Sequence, residues 1–214
     1  MNRPRILIAD DHTLVAEAFQ KLIESQFEVV GIVADGRKLL SVARATEPDL
    51  VILDLSMPLL NGLDAAEQLK QVLPAVKFLI LTMNEDAQLA GEALRRGASG
   101  YLLKSGAGSE MLRAIREVLK GGTYVTPRIA RALTDEWVRD PSPKNSHKLT
   151  PRQREVLQLL AEGQSMKEVA ATLQITARTV AFHKYKIMGD FQLRSNADLV
   201  QLAIKEHILC PKQF

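Results

Sequence analysis

The chain reads as an α/β domain, a five-stranded parallel sheet covered by helices on both faces, followed by a smaller all-helical domain. Three observations predict this. Between Arg5 and Lys120, five short apolar runs alternate with helix-period stripes, the pattern of strands joined by crossover helices in a three-layer sandwich. The runs are apolar throughout, as strands buried on both faces must be. Beyond residue 148 the strand-like runs stop, and only helical stripes with capping signals remain.

At 214 residues, with 46% hydrophobic and 25% charged residues, the chain has material for two folded cores and is no candidate for wholesale disorder. No run approaches the roughly 20 apolar residues of a membrane span, and the N-terminus lacks the apolar stretch of a signal peptide, so a cytoplasmic protein is expected. The single cysteine, Cys210, excludes an internal disulfide and a cysteine-based metal site, and is read as a small packed residue. The net charge of +3 is uneven: residues 1–122 carry −2, 123–148 carry +2 and 149–214 carry +3. A basic C-terminal end suits nucleic acid without establishing it.

The first run, Arg5 to Ala9, ends in Asp10 and Asp11. Leu14, Val15, Ala18, Phe19, Leu22 and Ile23 then form one apolar helical stripe. Phe27 to Ala34 reads as a strand, Leu39 to Ala45 as a short helix, and Leu50 to Leu53 as a strand ending in Asp54. The Pro58, Asn61 and Gly62 loop leads to a helix from Gly62 to Leu73, ended by Pro74. Val76 to Thr82 is the fourth strand, Ala87 to Arg96 a helix stopped by Gly97, and Gly100 to Lys104 the fifth strand. Ser109 is expected to cap a last helix through Lys120, closed by Gly121 and Gly122.

In an open parallel sheet the carboxyl ends of the strands share one edge, where ligands bind. Asp10, Asp11, Asp54, Thr82 and Lys104 should therefore converge. Taken alone, Asp54 reads as a turn-forming or capping acid. Taken with the others, it belongs to a cluster of carboxylates whose mutual repulsion a cation would relieve. Mg²⁺ suits such a set, since it takes one or two carboxylates together with phosphate oxygens. An aspartate can attack phosphorus to form an acyl phosphate, and Lys104 and the Thr82 hydroxyl would neutralise the transferred oxygens. Asp54 is the best-placed nucleophile.

The pair Asp10-Asp11, the string DLSMPxxxG from Asp54 to Gly62, Thr82 in LTM and Lys104 in GYLLKS resemble the receiver domain of two-component response regulators, over residues 5–121. The resemblance implies a flavodoxin-like fold, with Asp54 as acceptor of a phosphoryl group from a sensor histidine kinase. It also implies Mg²⁺ held by Asp11, Asp54 and the Ser56 carbonyl, with Asp10 helping through water. Thr82 and Tyr101 would form the switch pair: Thr82 moves toward the phosphoryl group, Tyr101 turns inward, and the face of the fourth helix, fifth strand and fifth helix is reshaped. From the residues alone, Tyr101 reads equally as a core aromatic with a wet hydroxyl.

Residues 122–148 are expected to be a linker with one short helix, marked by Ile129, Leu133 and Trp137, then loose chain from Arg139 to Lys148, which has no apolar residue once the helix stripe ends. His147 within it joins no constellation. The second domain, 149–214, opens with Thr150, Pro151 and Gln153 as cap, first helical residue and capping-box partner. Val156, Leu157, Leu160 and Ala161 give the buried stripe, and Gly163 the stop. Ser165 and Glu168 form a second capping box, Thr176 caps a third helix, and Ser195 begins a last one carrying Leu199, Leu202 and Ala203. On the third helix, Val180, His183, Ile187 and Phe191 share the core face. Arg178, Phe182, Tyr185 and Gly189 lie opposite, with Ala181 and Lys186 at the margins.

Two short helices joined by a tight turn suit a helix-turn-helix, although a helical protein-docking domain has the same periodicity. The strings LTPRQREVLQLLAEG, KEVAATLQITARTVAFHKYKIM and LRSNADLVQLAI resemble the LuxR-type DNA-binding domain, which with a receiver marks the NarL/FixJ family of transcription regulators. The resemblance implies base-facing positions at Ala181, Phe182 and Tyr185, and phosphate or base-edge contacts from Arg178, Lys184, Lys186 and Arg194. It further implies promoter DNA and RNA polymerase as partners, a homodimer when phosphorylated, and no metabolic reaction. The chain departs from the family at Gly189, Asp190, Phe191 and Gln192, where basic residues and then Leu-Gly are usual. An aspartyl phosphatase would resemble the first domain but carries a second Asp two residues past its nucleophile, where this chain has Ser56. The remaining alternative keeps the receiver and lets the helical domain dock on protein.

Overall fold

The computed structural model describes residues 3–139 and 149–209, which fall into two compact units. The loose chain expected between Arg139 and Lys148, with His147, lies outside the described residues except for Arg139, which ends a helix; Cys210 lies outside them too.

In the first unit, β1 (Arg5–Ala9), β2 (Glu28–Val33), β3 (Leu50–Asp54), β4 (Lys77–Thr82) and β5 (Gly100–Leu103) alternate with α1 (Thr13–Ile23), α2 (Gly36–Thr46), α3 (Gly62–Val72), α4 (Ala87–Arg95) and α5 (Ala107–Leu119). The strand order is β2-β1-β3-β4-β5, with a short β6 (Tyr124–Val125) after β5, and every pairing is parallel. Alternation along the strands splits the sheet residues between two layers. Ile6, Ile8, Leu50, Ile52, Leu79, Leu81 and Leu102 pack with Ala16, Phe19 and Ile23 of α1 and Met111, Ile115 and Val118 of α5. The intervening Leu7, Val51, Leu53, Phe78, Ile80 and Tyr101, equally buried, face the other layer.

The sheet has six strands, not the expected five. Tyr124–Val125 forms β6, paired with β5, and is followed by α6 (Pro127–Arg139), a 13-residue helix against α4. The stretch read as the start of a linker thus completes the first unit. A two-residue strand after Gly121-Gly122 carries too little apolar pattern to be seen in sequence. What permits it is Gly100, where a Cβ would lie 2.7 Å from Leu79 and 3.0 Å from the Tyr124 carbonyl.

Two helix starts also differ from expectation. α2 begins three residues before Leu39, because the Asp35 side chain caps it by accepting the Lys38 amide at 2.7 Å. α5 begins at Ala107 after a 3-10 turn over Lys104–Gly106, so Ser109 sits inside its first turn and donates to the Gly106 carbonyl instead of capping. No helix among the described residues is long and apolar enough to cross a membrane.

The second unit contains α7 (Pro151–Ala161), α8 (Met166–Leu173), α9 (Ala177–Asp190) and α10 (Asn196–Lys205). Capping boxes at Thr150/Gln153, Ser165/Glu168 and Ser195/Asp198 fix three of the four starts, and the Thr176 side chain caps the fourth. Leu157, Ile187, Leu199, Leu202, Ala203 and Ile208 form one small core, and Val156, Leu159, Val169, Leu173 and Val180 another.

Gly62 donates its amide to the Leu55 carbonyl, and a Cβ there would stand 2.2 Å from the Asp54 carbonyl oxygen. Gly62→Ala should therefore cost about 1–3 kcal/mol in denaturant unfolding, as an overpacked backbone contact does. Unchanged stability would mean that the turn after β3 yields. Tyr124 donates to Glu110 at 2.7 Å, and burial, aided by Glu110, pushes its hydroxyl from 10.0 up to about 12. The folded state holds that proton more tightly than the unfolded chain, so the stabilisation is complete below about pH 10 and is lost as pH rises through about 12. Ultraviolet titration should show a phenolate step near 12 that Tyr124→Phe removes.

Candidate functional site

The parallel register brings the strand ends level: Ala9 pairs with Leu53, Asp54 with Leu81, and Thr82 with Leu103. Asp10, Asp11, Asp54, Thr82 and Lys104, spread over nearly a hundred residues, meet at this edge as the spacing predicts. Asp54 is 3% exposed. The Lys104 ammonium lies 2.8 Å from Asp10 Oδ2 and 3.1 Å from Asp54 Oδ2, with little of its own side chain in solvent. The remaining Asp10 oxygen accepts the His12 amide at 2.9 Å.

Burial and neighbouring charges act on this group together. Burial pushes the Asp54 carboxyl above its ordinary range; Lys104 pulls it back, Asp10 pushes it further up, and the Ser56 amide hydrogen-bonds the carboxylate. Burial pulls the Lys104 ammonium down, but Asp54 and Asp10 outweigh it and hold the group above its ordinary range. The ammonium meets two carboxylates and Asp11 stands beside them, so carboxylates outnumber the cation at this edge. Ligand atoms of Asp10, Asp11, His12 and Asp54 lie within 4.8 Å of one another. Hard oxygen donors, an uncompensated charge and this spacing fit a divalent cation.

His12 was not read from the sequence. Its Nδ1 stands 2.9 Å from Asp11 Oδ1 and 3.3 Å from Asp10 Oδ1 at the cluster's exposed rim. The only signal was its place directly after two acids. Asn84 was missed too. Its amide donates to Thr82 Oγ1 at 3.1 Å, and its carbonyl accepts the Tyr101 hydroxyl at 3.0 Å. Tyr101 is fully buried, so the inward position is the one it occupies, and its hydroxyl donates to the Asn84 carbonyl.

In the second unit, α8 and α9 are joined by three residues, with Gln174 in the left-handed conformation at φ 53°. Phe182 and Tyr185 are 62% and 63% exposed. Arg178 and Lys186 of the same helix are exposed, as is Arg194 beyond its end; Ala181 is half-buried, and Lys184 reaches Asn196 at 2.8 Å. Val180 and Ile187 are buried as expected, whereas His183 and Phe191 are only half-buried. Burial pulls the His183 imidazole below its ordinary range, and Arg152 and Lys186 add to the effect. Gly189 and Asp190 are exposed at the end of α9, and Gln192 takes φ 55° in a turn closed by Leu193 N–H to the Met188 carbonyl.

These features match known proteins. Residues 6–116 match the response regulator receiver domain, and residues 147–203 the bacterial regulatory proteins of the luxR family. The oxygen regulatory protein NreC of Staphylococcus haemolyticus is 37% identical over 96% of this chain and 99% of its own. Among solved structures, a LuxR-family two-component response regulator from Aurantimonas sp. aligns with TM-score 0.61 and 35% identity, covering 64% of this chain and 99% of that one. The RcsB response regulator of Salmonella typhimurium aligns with TM-score 0.64 and 26% identity over 94% of this chain and 97% of its own. RcsB has also been solved in complex with DNA, in a structure that aligns with TM-score 0.59. An acid-lined sheet edge joined in one chain to a helix-turn-helix, matched over nearly its whole length, identifies a DNA-binding response regulator of the two-component type, and the chain belongs to the NarL/FixJ family.

Proposed function

We propose that Asp54 is the phosphoacceptor, that Mg²⁺ assembles with it and with Asp10, Asp11 and Ser56, and that phosphorylation governs how the second unit engages promoter DNA. The observation that carries this reading is the buried Asp54 carboxylate at the end of β3, with the Lys104 ammonium 3.1 Å away and two further carboxylates beside it. Mg²⁺ would supply the positive charge that draws phosphate oxygens to the cluster. Asp54 would attack phosphorus in line, the bond to the donor would break, and Lys104 and Thr82 would take up the equatorial oxygens. The donor is a sensor histidine kinase, and the reading gives the chain no turnover beyond slow gain and loss of its own phosphoryl group.

On the second unit, the reading sets Ala181, Phe182 and Tyr185 of α9 against base edges in the major groove. Arg178, Lys184, Lys186 and Arg194 flank them for phosphate or base-edge contacts. Exposed aromatics between cations support this, because a surface of that kind gains little from water. The existence of a DNA complex of RcsB supports it further. The active form is taken as a cytoplasmic homodimer that reads two half-sites and works with RNA polymerase.

With a small phosphodonor and Mg²⁺, the parent chain should gain one base-labile phosphate, Asp54→Asn none, and Asp11→Ala very little. Lys104→Ala should bind metal yet show no gain in DNA affinity on phosphorylation. Labelling of Asp54→Asn at the parent level overturns the assignment. In gel shifts across a salt series, Tyr185→Ala should weaken specific binding by about 1–3 kcal/mol and spare non-specific binding. Lys186→Ala should weaken both and lower the salt slope by about one. If neither variant changes binding, α9 does not read DNA.

A further inference from the structure

The face that the Thr82 and Tyr101 pair would reshape, formed by α4, β5 and α5, is not free: β6 pairs with β5, and α6 packs on α4. Both switch residues connect to this covering segment, Tyr101 directly and Thr82 through the residues that follow it. From Thr82, the Asn84 amide leads to Glu85, whose carboxylate holds Arg128 of α6 through two parallel contacts, 2.7 Å to Oε1 and 2.6 Å to Oε2. From Tyr101, the main-chain carbonyl accepts the Thr126 amide at 3.0 Å, and two residues on the Leu103 amide donates to Thr126 Oγ1 at 3.2 Å. Thr126 immediately precedes α6. Behind these bonds Ile129 is buried, and Leu133 lies where a Cβ on Gly91 of α4 would meet it at 3.3 Å.

We propose that α6 is the output lever of the first unit, held in place by an Arg128–Glu85 latch that releases when Thr82 is drawn toward a phosphorylated Asp54. The inference rests on the reading of Asp54 and Thr82 given above. Movement of Thr82 displaces the Asn84 amide bonded to it, and with it the neighbouring Glu85. The Glu85 carboxylate then leaves the guanidinium fork, whose two-point geometry tolerates little displacement. Since α6 ends at Arg139, with nine residues between it and Leu149, where the described part of the second unit resumes, a freed α6 delivers the change directly to the chain leading to the DNA-binding domain. The latch is weak by construction. Arg128 and Glu85 side chains are 72% and 43% exposed, and an exposed pair shifts a local opening equilibrium by only about two- to five-fold. A clamp of that strength can be tipped by one phosphoryl group.

Hydrogen exchange on the full chain, with phosphate uptake measured in the same samples, tests this. Without phosphodonor, Arg128→Glu should raise exchange over residues 127–135 by about two- to five-fold, and Arg128→Glu with Glu85→Lys should restore the parent rate. In the parent chain, a small phosphodonor with Mg²⁺ should raise exchange over 84–90 and 127–135 together. Unchanged exchange in Arg128→Glu, or no rescue by the double variant, overturns the latch. Phosphate on Asp54 with α6 exchange unmoved overturns the lever and leaves the phosphoacceptor reading intact. Absence of phosphate on Asp54 removes that reading and the lever with it.

Discussion

The first unit depends on the contact of one ammonium, Lys104, with the carboxylates of Asp10 and Asp54. Parallel strands end at a common edge, so a parallel sheet gathers whatever its strand ends carry. Here it gathers acids. Placing three carboxylates in a largely buried setting is unfavourable, and one ammonium offsets only part of it. The deficit is what sets this edge apart chemically. A fully neutralised cluster would have no call on a cation, and an open one in water would have no reason to raise Asp54 above its ordinary range.

The same economy governs the route outward from the site. Thr82 and Tyr101 are both buried, on neighbouring strands, and Asn84 joins them by accepting from one and donating to the other. A hydrogen-bonded loop of this kind has few independent ways to move, so displacement at one end is felt at the other. Thr126 and Arg128 then connect both strands to α6. The arrangement covers this side of β5 and α4 with an element of the chain itself.

The second unit rests on different physics. It is small, and local signals do much of the work: capping boxes specify where α7, α8 and α10 begin, and the glycine at φ 93°, Gly163, follows α7. The turn after α9 is the exception. Gln192 occupies a left-handed conformation that costs a residue with a Cβ about 1 kcal/mol relative to glycine, at the place where the family usually has glycine. Asp190, exposed beside it, adds negative charge near the end of the helix that displays Phe182 and Tyr185.

The sequence by itself determined the alternation of strands and helices, the convergence of Asp10, Asp11, Asp54, Thr82 and Lys104, and, on α9, the buried Val180 and Ile187 opposite the exposed Phe182 and Tyr185. Each of these follows from a period of 2.0 or 3.6 residues, or from the rule that parallel strands share an edge. The helix starts marked by side-chain caps in the second unit were equally legible, because a cap and its partner lie three residues apart. Tertiary structure alone decided the rest. β6 exists because Gly100 lets a neighbouring backbone approach, and nothing in Tyr124-Val125 announces that. Asn84 joins the site through the hydroxyl of Tyr101, whose position only the folded sheet sets. Arg128 meets Glu85 across 43 residues of sequence, and no local pattern links two exposed charges at such a distance. Local periodicity fixes which residues share a face, whereas long-range pairing depends on where whole elements are packed.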